Sequence, residues 1–441
     1  MMQTVILAGG KGTRIRLVAG NRPKSLVPVA GKAFIEHQFD LLRESGVRDV
    51  LICAGFGAEE LAAHVGDGSR FGLSVRLRAE DPDRLLGTGG ALVAALPDLA
   101  SEFMVLYGDS YLPVRYDRIA ATFRRSGCPA LMTVYPNQGR WDRSNTRARD
   151  GRVVFYSKTA GPGEADAIDY GLTFYRREVI DRYRAVPPPL DLQSILQDLI
   201  ASGGLAAGPV EERFYEIGKP EGWLELDDLL TLKQEHRKRA GRAVFLDRDG
   251  TLNAMCYDED HGIMDSPRRP EQLRPVRGAG AFIARMKQAG FKVLVVTNQP
   301  GLAKGTLTEA AHEAVTRRLA EALAAEGASW DGLYVCPHHP APGEGGNPLY
   351  AGDCLCRKPL PGLLYRAARE HDIDLASSWM IGDGLNDMQA GRAAGCRTIL
   401  LTRIKMEQIE KFLSLENAEP DLIAPDFTAA AEAIEKRTTP S

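Results

Sequence analysis

Ala243-Val-Phe-Leu246-Asp247-Arg248-Asp249-Gly250-Thr251-Leu252-Asn253 is the stretch that decides the fold of the C-terminal half. Four apolar residues in a row, closed by a turn signal, read as a buried strand. Asp247 and Asp249, two residues apart at the end of that strand, can converge on one pocket. Gly250 permits a sharp turn after them. One carboxylate of such a pair can attack a phosphoryl group while the other protonates the leaving alkoxide. Taken alone, the stretch also reads as an Asp-rich turn or a helix cap.

Further along, Ala279 to Gln288 has helical spacing, and Val293-Leu-Val-Val296 is a second buried strand, ending in Thr297-Asn298-Gln299. Arg357-Lys358-Pro359 supplies two cations. Met380-Ile-Gly382 is a further strand, ending in Asp383 with Asp387 close behind. Strands alternating with helices predict α/β layers around a mostly parallel sheet. In this order the segments resemble the four motifs of the haloacid-dehalogenase (HAD) superfamily. The resemblance implies Asp247 as nucleophile and Asp249 as general acid, then general base. Thr297 and Lys358 would bind the transferring phosphoryl group, with Asn298 and Arg357 on the substrate. Mg²⁺ would rest on Asp247, Asp249 and Asp383, with Asp387 supporting them.

Cys336-Pro-His338-His339-Pro340 and Cys354-Leu-Cys356 frame a Gly/Pro-rich loop just before Arg357. Three thiolates and one imidazole make a closed tetrahedral zinc set with no open position, so the site would be structural. His338 is favoured over His339 by resemblance. Cys53, Cys128, Cys256 and Cys396 are isolated and read as ordinary thiols. The zinc-loop form resembles the D-glycero-D-manno-heptose 1,7-bisphosphate phosphatases, and also the histidinol phosphatases of the same subgroup. Gly384 stands where many heptose members have Lys.

In the N-terminal half, the strand Thr4-Val-Ile-Leu-Ala8 runs into Gly9-Gly10-Lys11-Gly12-Thr13-Arg14. A glycine-rich turn after a buried strand lets backbone N–H groups approach phosphate oxygens, and Arg14 and Lys11 add positive charge. Arg22-Pro23-Lys24 and Pro28-Val29 follow. Further strands are Val50 to Ala54 and Phe103 to Tyr107, with a helix from Phe34 to Glu44. The ordered run from Gly9 to Val29 resembles the signature of sugar-1-phosphate nucleotidyltransferases. The resemblance implies attack of a sugar 1-phosphate on the α-phosphate of a nucleoside triphosphate, expelling pyrophosphate. Gly9, Gly10, Gly12 and Thr13 would bind the triphosphate, and Lys24 and Arg14 would stabilise the developing charge.

Leu86-Gly87-Thr88-Gly89 resembles the nucleotide-base loop of that family, and Tyr107-Gly108-Asp109 its metal strand. Glu216 would be the second Mg²⁺ ligand with Asp109, in a position usually held by Asp. Gly171, in Tyr170-Gly171-Leu172, would back the sugar. The family's Glu-Lys pair is matched by Ser157-Lys158, which keeps the phosphate-binding charge and drops the carboxylate. Glu80, Asp81 and Asp83 read as solvated loop carboxylates.

With 441 residues, two cores are expected. The expected division is a nucleotidyltransferase domain at 1–232, a polar linker at 233–242 and a HAD-type phosphatase domain at 243–441. The fold class is α/β, an N-terminal Rossmann-like domain with a mixed sheet and a C-terminal Rossmannoid domain with a zinc loop. A formal charge of −3 argues against nucleic-acid or polybasic membrane partners. Without a visible signal peptide or apolar span, and with clustered rather than paired cysteines, a reducing cytoplasm is expected. The partners are then sugar phosphates and a nucleoside triphosphate, with homo-oligomerisation left open. The halves fit consecutive steps, since removing the 7-phosphate of a heptose 1,7-bisphosphate yields a heptose 1-phosphate. The nucleotidyltransferase resemblance favours the α-anomer and GTP. The alternatives are another sugar 1-phosphate, a histidinol-phosphatase-like activity, or an N-terminal half that only binds nucleotide sugars.

Overall fold

A computed structural model describes residues 2–81, 84, 86–137, 143–161, 163–235, 238–258, 262–402 and 418–438. The chain divides into two compact units, Met1–Leu226 and Asp227–Ser441. The division falls within the helix Pro220–Gln234. Past it, Asp228 pairs with Arg239 at 2.7 Å and with Arg369 at 2.9 Å. His236 and Arg237 of the expected linker lie outside the described residues.

The first unit is built on a nine-stranded mixed sheet. Its parallel part runs Ser74–Ala79, Asp49–Ala54, Gln3–Ala8, Glu102–Tyr107 across the sheet. Ile168–Arg176 then joins antiparallel to Glu102–Tyr107, and beyond it the sheet continues with Ala130–Tyr135, Leu205–Pro209, Arg152–Tyr156 and Thr146–Arg149. The runs Val5–Leu7 and Val50–Ala54 are buried throughout, the pattern of strands covered on both faces. The helix Phe34–Glu44 buries Phe34, Ile35, Phe39, Leu41 and Leu42, as its apolar spacing predicts.

The second unit holds a six-stranded sheet in the order Gly332–Cys336, Lys292–Asn298, Ala243–Leu246, Trp379–Gly382, Arg397–Leu401, Leu422–Ala424. All of its pairings are parallel. Ala243–Leu246 is completely buried at its centre. The helix Ala279–Gln288 packs Phe282, Ile283 and Met286 into the same core. In an open parallel sheet, ligands bind beyond the carboxyl ends of the strands. The motif residues of both units lie at those ends. Among the described residues, no helix is long and apolar enough to cross a membrane.

Candidate active sites in two units

In the second unit, three neighbouring strands end in chemistry. Asp247 follows the central strand, Thr297 and Asn298 end the strand on one side, and Asp383 follows the strand on the other. Lys358 arrives from the loop before the helix Gly362–His371. Its ammonium lies 2.8 Å from Asp247 and 2.6 Å from Asp387, and also donates to the Val296 carbonyl at 2.8 Å. The Lys358 side chain is only 3% exposed. Burial works against its charge, but Asp247 and Asp387 outweigh burial and hold the ammonium protonated. Burial pushes Asp247 up to about 7, with Lys358 opposing the shift. Burial also raises Asp383 and Asp387.

One oxygen from each of Asp247, Asp383 and Asp387 falls within a 4.8 Å group. Three carboxylates facing one buried ammonium leave an excess of negative charge, which suits a hard divalent cation with oxygen ligands. Gly250 is what lets Asp383 in: a Cβ there would stand 2.1 Å from its Oδ2. The Asp249 side chain, expected on the metal, differs from that expectation. Its carboxylate accepts from Arg248 at 2.9 Å, Asn253 at 2.9 Å and Gln299 at 2.6 Å, and stands apart from the metal group. Burial opposes its ionisation, yet Arg248 and these donors together hold it below the usual carboxylate range.

Asn298, expected on the substrate, instead spends both ends of its amide on the Lys358 backbone, at 2.9 and 3.0 Å. It aims the lysine. Arg248 and Gln299 went unassigned in the sequence, although Arg248 is fully buried and Gln299 joins Asp249 to the Thr297 hydroxyl at 2.9 Å. The signal available for Arg248 was its place between two aspartates on a buried strand end.

The cysteine cluster assembles as expected. Cys336 Sγ lies 3.6 Å from Cys354 Sγ and 3.8 Å from His338 Nδ1. Cys356 Sγ lies 3.3 Å from Cys354 and 3.4 Å from His338 Nδ1. Tetrahedral zinc with Zn–S bonds near 2.3 Å spaces its ligand atoms by about 3.7 Å, so the set fits that ion. His339 turns away, with Nδ1 at 2.8 Å from the Ala341 carbonyl. Hydrogen bonds from Cys336 and Cys356 pull the Cys354 thiol strongly down, while the same contact pushes Cys336 up. Arg357 donates to the His338 carbonyl at 3.2 Å and so ties the cluster to the loop that carries Lys358.

In the first unit, a cavity of about 290 Å³ opens at the ends of the parallel strands. Gly9, Gly10, Lys24, Gly87, Thr88 and Asp109 are in its wall. Lys24 and Asp109 form an ion pair at 2.9 Å, with side chains 17% and 28% exposed. Gly12 packs beside the Lys24 stem, and Gly218 beside the Asp109 carboxylate and the Arg14 guanidinium. Gly171 backs onto Tyr107 and Ser110. Gly87 sits at φ +78°, where a Cβ would meet the Leu190 carbonyl at 2.5 Å.

Other expected residues stand outside this wall: Gly12, Thr13, Arg14, Gly89, Lys158, Gly171 and Glu216. Glu216 belongs to a two-residue strand paired with Ser110–Tyr111, next to Asp109 in the chain fold. Lys158 pairs with Asp191 at 2.7 Å, and Leu192, next in the chain, donates to the Thr88 hydroxyl. The carboxylate beside Lys158 thus comes from a segment 33 residues away, not from position 157. Its only sequence signal was a helix N-cap position. Glu80 corrects the reading as a solvated carboxylate: it is half-buried, lines the cavity, and burial raises its pKa. Asp81 is exposed, and Asp83 lies outside the described residues.

Comparison with known proteins finds two families along the chain. Residues 3–222 match the Nucleotidyl transferase family, and 355–430 match a HAD-hydrolase-like family. The D-glycero-beta-D-manno-heptose-1,7-bisphosphate 7-phosphatase of Yersinia pestis is 40% identical over 161 residues, which cover 36% of this chain and 80% of that protein. A solved D,D-heptose 1,7-bisphosphate phosphatase from B. bronchiseptica, complexed with magnesium and phosphate, is 32% identical. The match covers 45% of this chain and 99% of that one, with a TM-score of 0.36. HddC from Yersinia pseudotuberculosis is 24% identical and covers 52% of this chain and all of its own, with a TM-score of 0.44. The chain belongs to the D-glycero-beta-D-manno-heptose-1,7-bisphosphate 7-phosphatase family and carries, in the same polypeptide, an N-terminal nucleotidyltransferase domain.

Proposed function

We propose that the C-terminal half removes the 7-phosphate of D-glycero-D-manno-heptose 1,7-bisphosphate and that the N-terminal half then joins GMP from GTP to the resulting heptose 1-phosphate, releasing pyrophosphate. One observation carries this reading. A chain alike to a 7-phosphatase over four-fifths of that protein also contains a nucleotidyltransferase domain. Dephosphorylation at C7 leaves a sugar 1-phosphate, the nucleophile that such a domain consumes.

In the phosphatase half, an Asp247 carboxylate oxygen attacks phosphorus and the P–O bond to the sugar breaks. Lys358 and the Thr297 hydroxyl hold the phosphoryl oxygens. Asp249 gives a proton to the leaving alkoxide, then takes one from the water that hydrolyses the aspartyl-phosphate. Its lowered pKa suits the second step; for the first it takes up a proton once the negative charge of the bound substrate stands beside it, and its bond to Gln299 keeps it beside Thr297. Asp247, Asp383 and Asp387 would hold Mg²⁺, whose charge would offset the repulsion between carboxylate and phosphate. Zn²⁺ on Cys336, His338, Cys354 and Cys356 would brace the loop that delivers Arg357 and Lys358.

In the transferase half, Lys24 meets the phosphates, beside Gly9 and Gly10 in the cavity wall. Asp109, with Glu216 near it, would hold a second Mg²⁺. Lys158, held by Asp191, faces the sugar phosphate. The reactants are small anions met in the cytoplasm.

The relatives' names specify the β-anomer, whereas the N-terminal resemblance favours the α-anomer, so the test offers both. Purified chain with Mg²⁺ is given each anomer of the bisphosphate with each nucleoside triphosphate. Phosphate, pyrophosphate and nucleotide-sugar are followed. Phosphate release followed by GDP-heptose supports the reading. Phosphate without pyrophosphate for every triphosphate would refute the transferase half.

A further inference from the structure

Arg248 takes no direct part in phosphoryl transfer, yet it stands between Asp247 and Asp249 and is only 1% exposed. Burying a guanidinium is costly unless its edges find partners. Two of its nitrogens are spent on Asp249. Nη2 donates to Oδ2 at 2.9 Å, and Nε reaches both carboxylate oxygens at 3.2 Å. The third, Nη1, turns to the helix Glu309–Ala325 and donates to the Thr316 hydroxyl at 3.3 Å. The charge of Arg248 is thereby committed to Asp249, and the phosphoryl group is left to Lys358.

The helix is a firm seat. Val315, Leu319 and Leu323 anchor it in the core of the second unit. Its start is held by the Thr308 hydroxyl, which accepts from the Ala311 N–H at 3.1 Å, and by Glu309, which accepts from the Tyr350 hydroxyl at 2.5 Å. His312 lies one turn before Thr316 on the same face, since residues four apart in a helix are neighbours. Its Nε2 is buried and has no hydrogen-bond partner among the described residues, a rare state that calls for a reason. Burial, with Arg248 nearby, pushes the ring down to about 4, so it is neutral at ordinary pH. A neutral imidazole with its proton on Nδ1 offers Nε2 as an acceptor. The face that meets Arg248 thus carries two acceptors, a hydroxyl and an imidazole nitrogen.

A buried ion pair adds little stability over apolar groups of the same shape. What it adds here is a fixed direction. Asp249 must point one oxygen at the leaving sugar oxygen, and a small misplacement costs a general acid much of its effect. Asn253 and Gln299 also donate to this carboxylate, at 2.9 and 2.6 Å, but neither reaches back to a helix of the core as Arg248 does. We propose that Arg248 is a positioning residue for Asp249, seated on Thr316 and His312, so that the helix Glu309–Ala325 governs proton delivery to the leaving group without touching the substrate. The proposal rests on the phosphatase reading above, in which Asp249 is the acid.

The test compares two leaving groups in a single turnover of the full chain with Mg²⁺. Heptose 1-phosphate leaves the bisphosphate as an alkoxide that needs a proton. The p-nitrophenolate of p-nitrophenyl phosphate leaves as a stable anion that needs none. Following only this first release keeps the later attack of water out of the measurement. Asp249→Asn is the reference, and should slow sugar release about 10²-fold or more while p-nitrophenolate release stays within about twofold of wild type. The double variant Thr316→Val, His312→Phe should show the same split at a smaller size, roughly tenfold on the sugar. Thr316→Ser alone keeps the hydroxyl and should match wild type. Equal slowing of both leaving groups by the double variant would mark a packing role and overturn the proposal. So would a wild-type rate on the sugar, or a loss in Thr316→Ser as large as in the double variant. Equal slowing of both leaving groups by Asp249→Asn would instead remove Asp249 as the acid, and the proposal with it.

Discussion

The two sites use the same pair of groups, a lysine against an aspartate, at opposite degrees of closure. Lys358 and its partners Asp247 and Asp387 are 3%, 14% and 5% exposed, and the lysine is already engaged by both carboxylates and the Val296 carbonyl. Lys24 and Asp109 lie 17% and 28% exposed on the wall of an open cavity. The difference follows from what each site must recognise. A phosphoryl group is small and invariant, so a buried, pre-arranged pocket can fit it, and removing water strengthens every charge inside. A nucleotide and a sugar phosphate are large and must enter together, so that site is a cleft whose cations wait in partial contact with water.

The comparison is broken most severely by Asp247→Asn. Phosphatase turnover should fall by about four orders of magnitude or more, since a nucleophile is lost, while pyrophosphate release from GTP and a supplied heptose 1-phosphate stays at the wild-type rate. A parallel fall in both rates would mean that the two sites do not act separately. Lys24→Ala is the converse. Nucleotidyl transfer should fall roughly 10²- to 10³-fold, the usual loss for one charge-stabilising group, with phosphate release unchanged. Because Lys24 is the more solvated cation, raising ionic strength should weaken substrate binding at its site more than at Lys358.

Cys354→Ser sharpens the comparison at the loop that carries Lys358. Elemental analysis should show zinc lost, and phosphatase activity should drop because Lys358 and Arg357 lose their brace. The transferase rate should hold. Full zinc occupancy with normal phosphatase activity in the variant would contradict a structural metal. The smallest effect is expected at Asp169, which burial raises to about 6 from an ordinary 3.8. An acid with a raised folded pKa favours the folded state fully below pH 3.8, and loses that contribution as pH rises to about 6. The melting temperature of the wild type should therefore decline over that window relative to Asp169→Asn. Identical slopes for the two proteins would remove Asp169 from the account.

Strand ends were the legible part of both halves. Ala243–Leu246 and the helix Ala279–Gln288 have the bounds that their apolar patterns predict, and Phe34–Glu44 likewise. The phosphatase motifs read well because each is anchored to a buried strand, whose end fixes where the next residue emerges. What stayed hidden depends on residues distant in the chain. Nothing local says that Asp191 will neutralise Lys158, that Gln299 will bridge Asp249 to Thr297, or that Asn298 will serve Lys358 instead of a substrate. Glu80 was misread for a related reason: it sits in a stretch of charged residues, and only the sheet order shows that its strand ends beside the cavity. Charged loop residues carry no period, so periodicity cannot sort the ones facing a site from the ones facing water.

The central claim is that two independent sites act in sequence on one sugar. Mixing two full-length single-site variants tests it most directly. Asp247→Asn and Lys24→Ala chains are combined with heptose 1,7-bisphosphate, GTP and Mg²⁺, and GDP-heptose is measured against each variant alone. The account predicts product from the mixture and essentially none from either variant by itself, because the 1-phosphate made by one chain is used by the other. GDP-heptose from the Lys24→Ala chain alone at a rate close to that of the mixture, or no product from the mixture when each variant retains its remaining half-reaction, would contradict it.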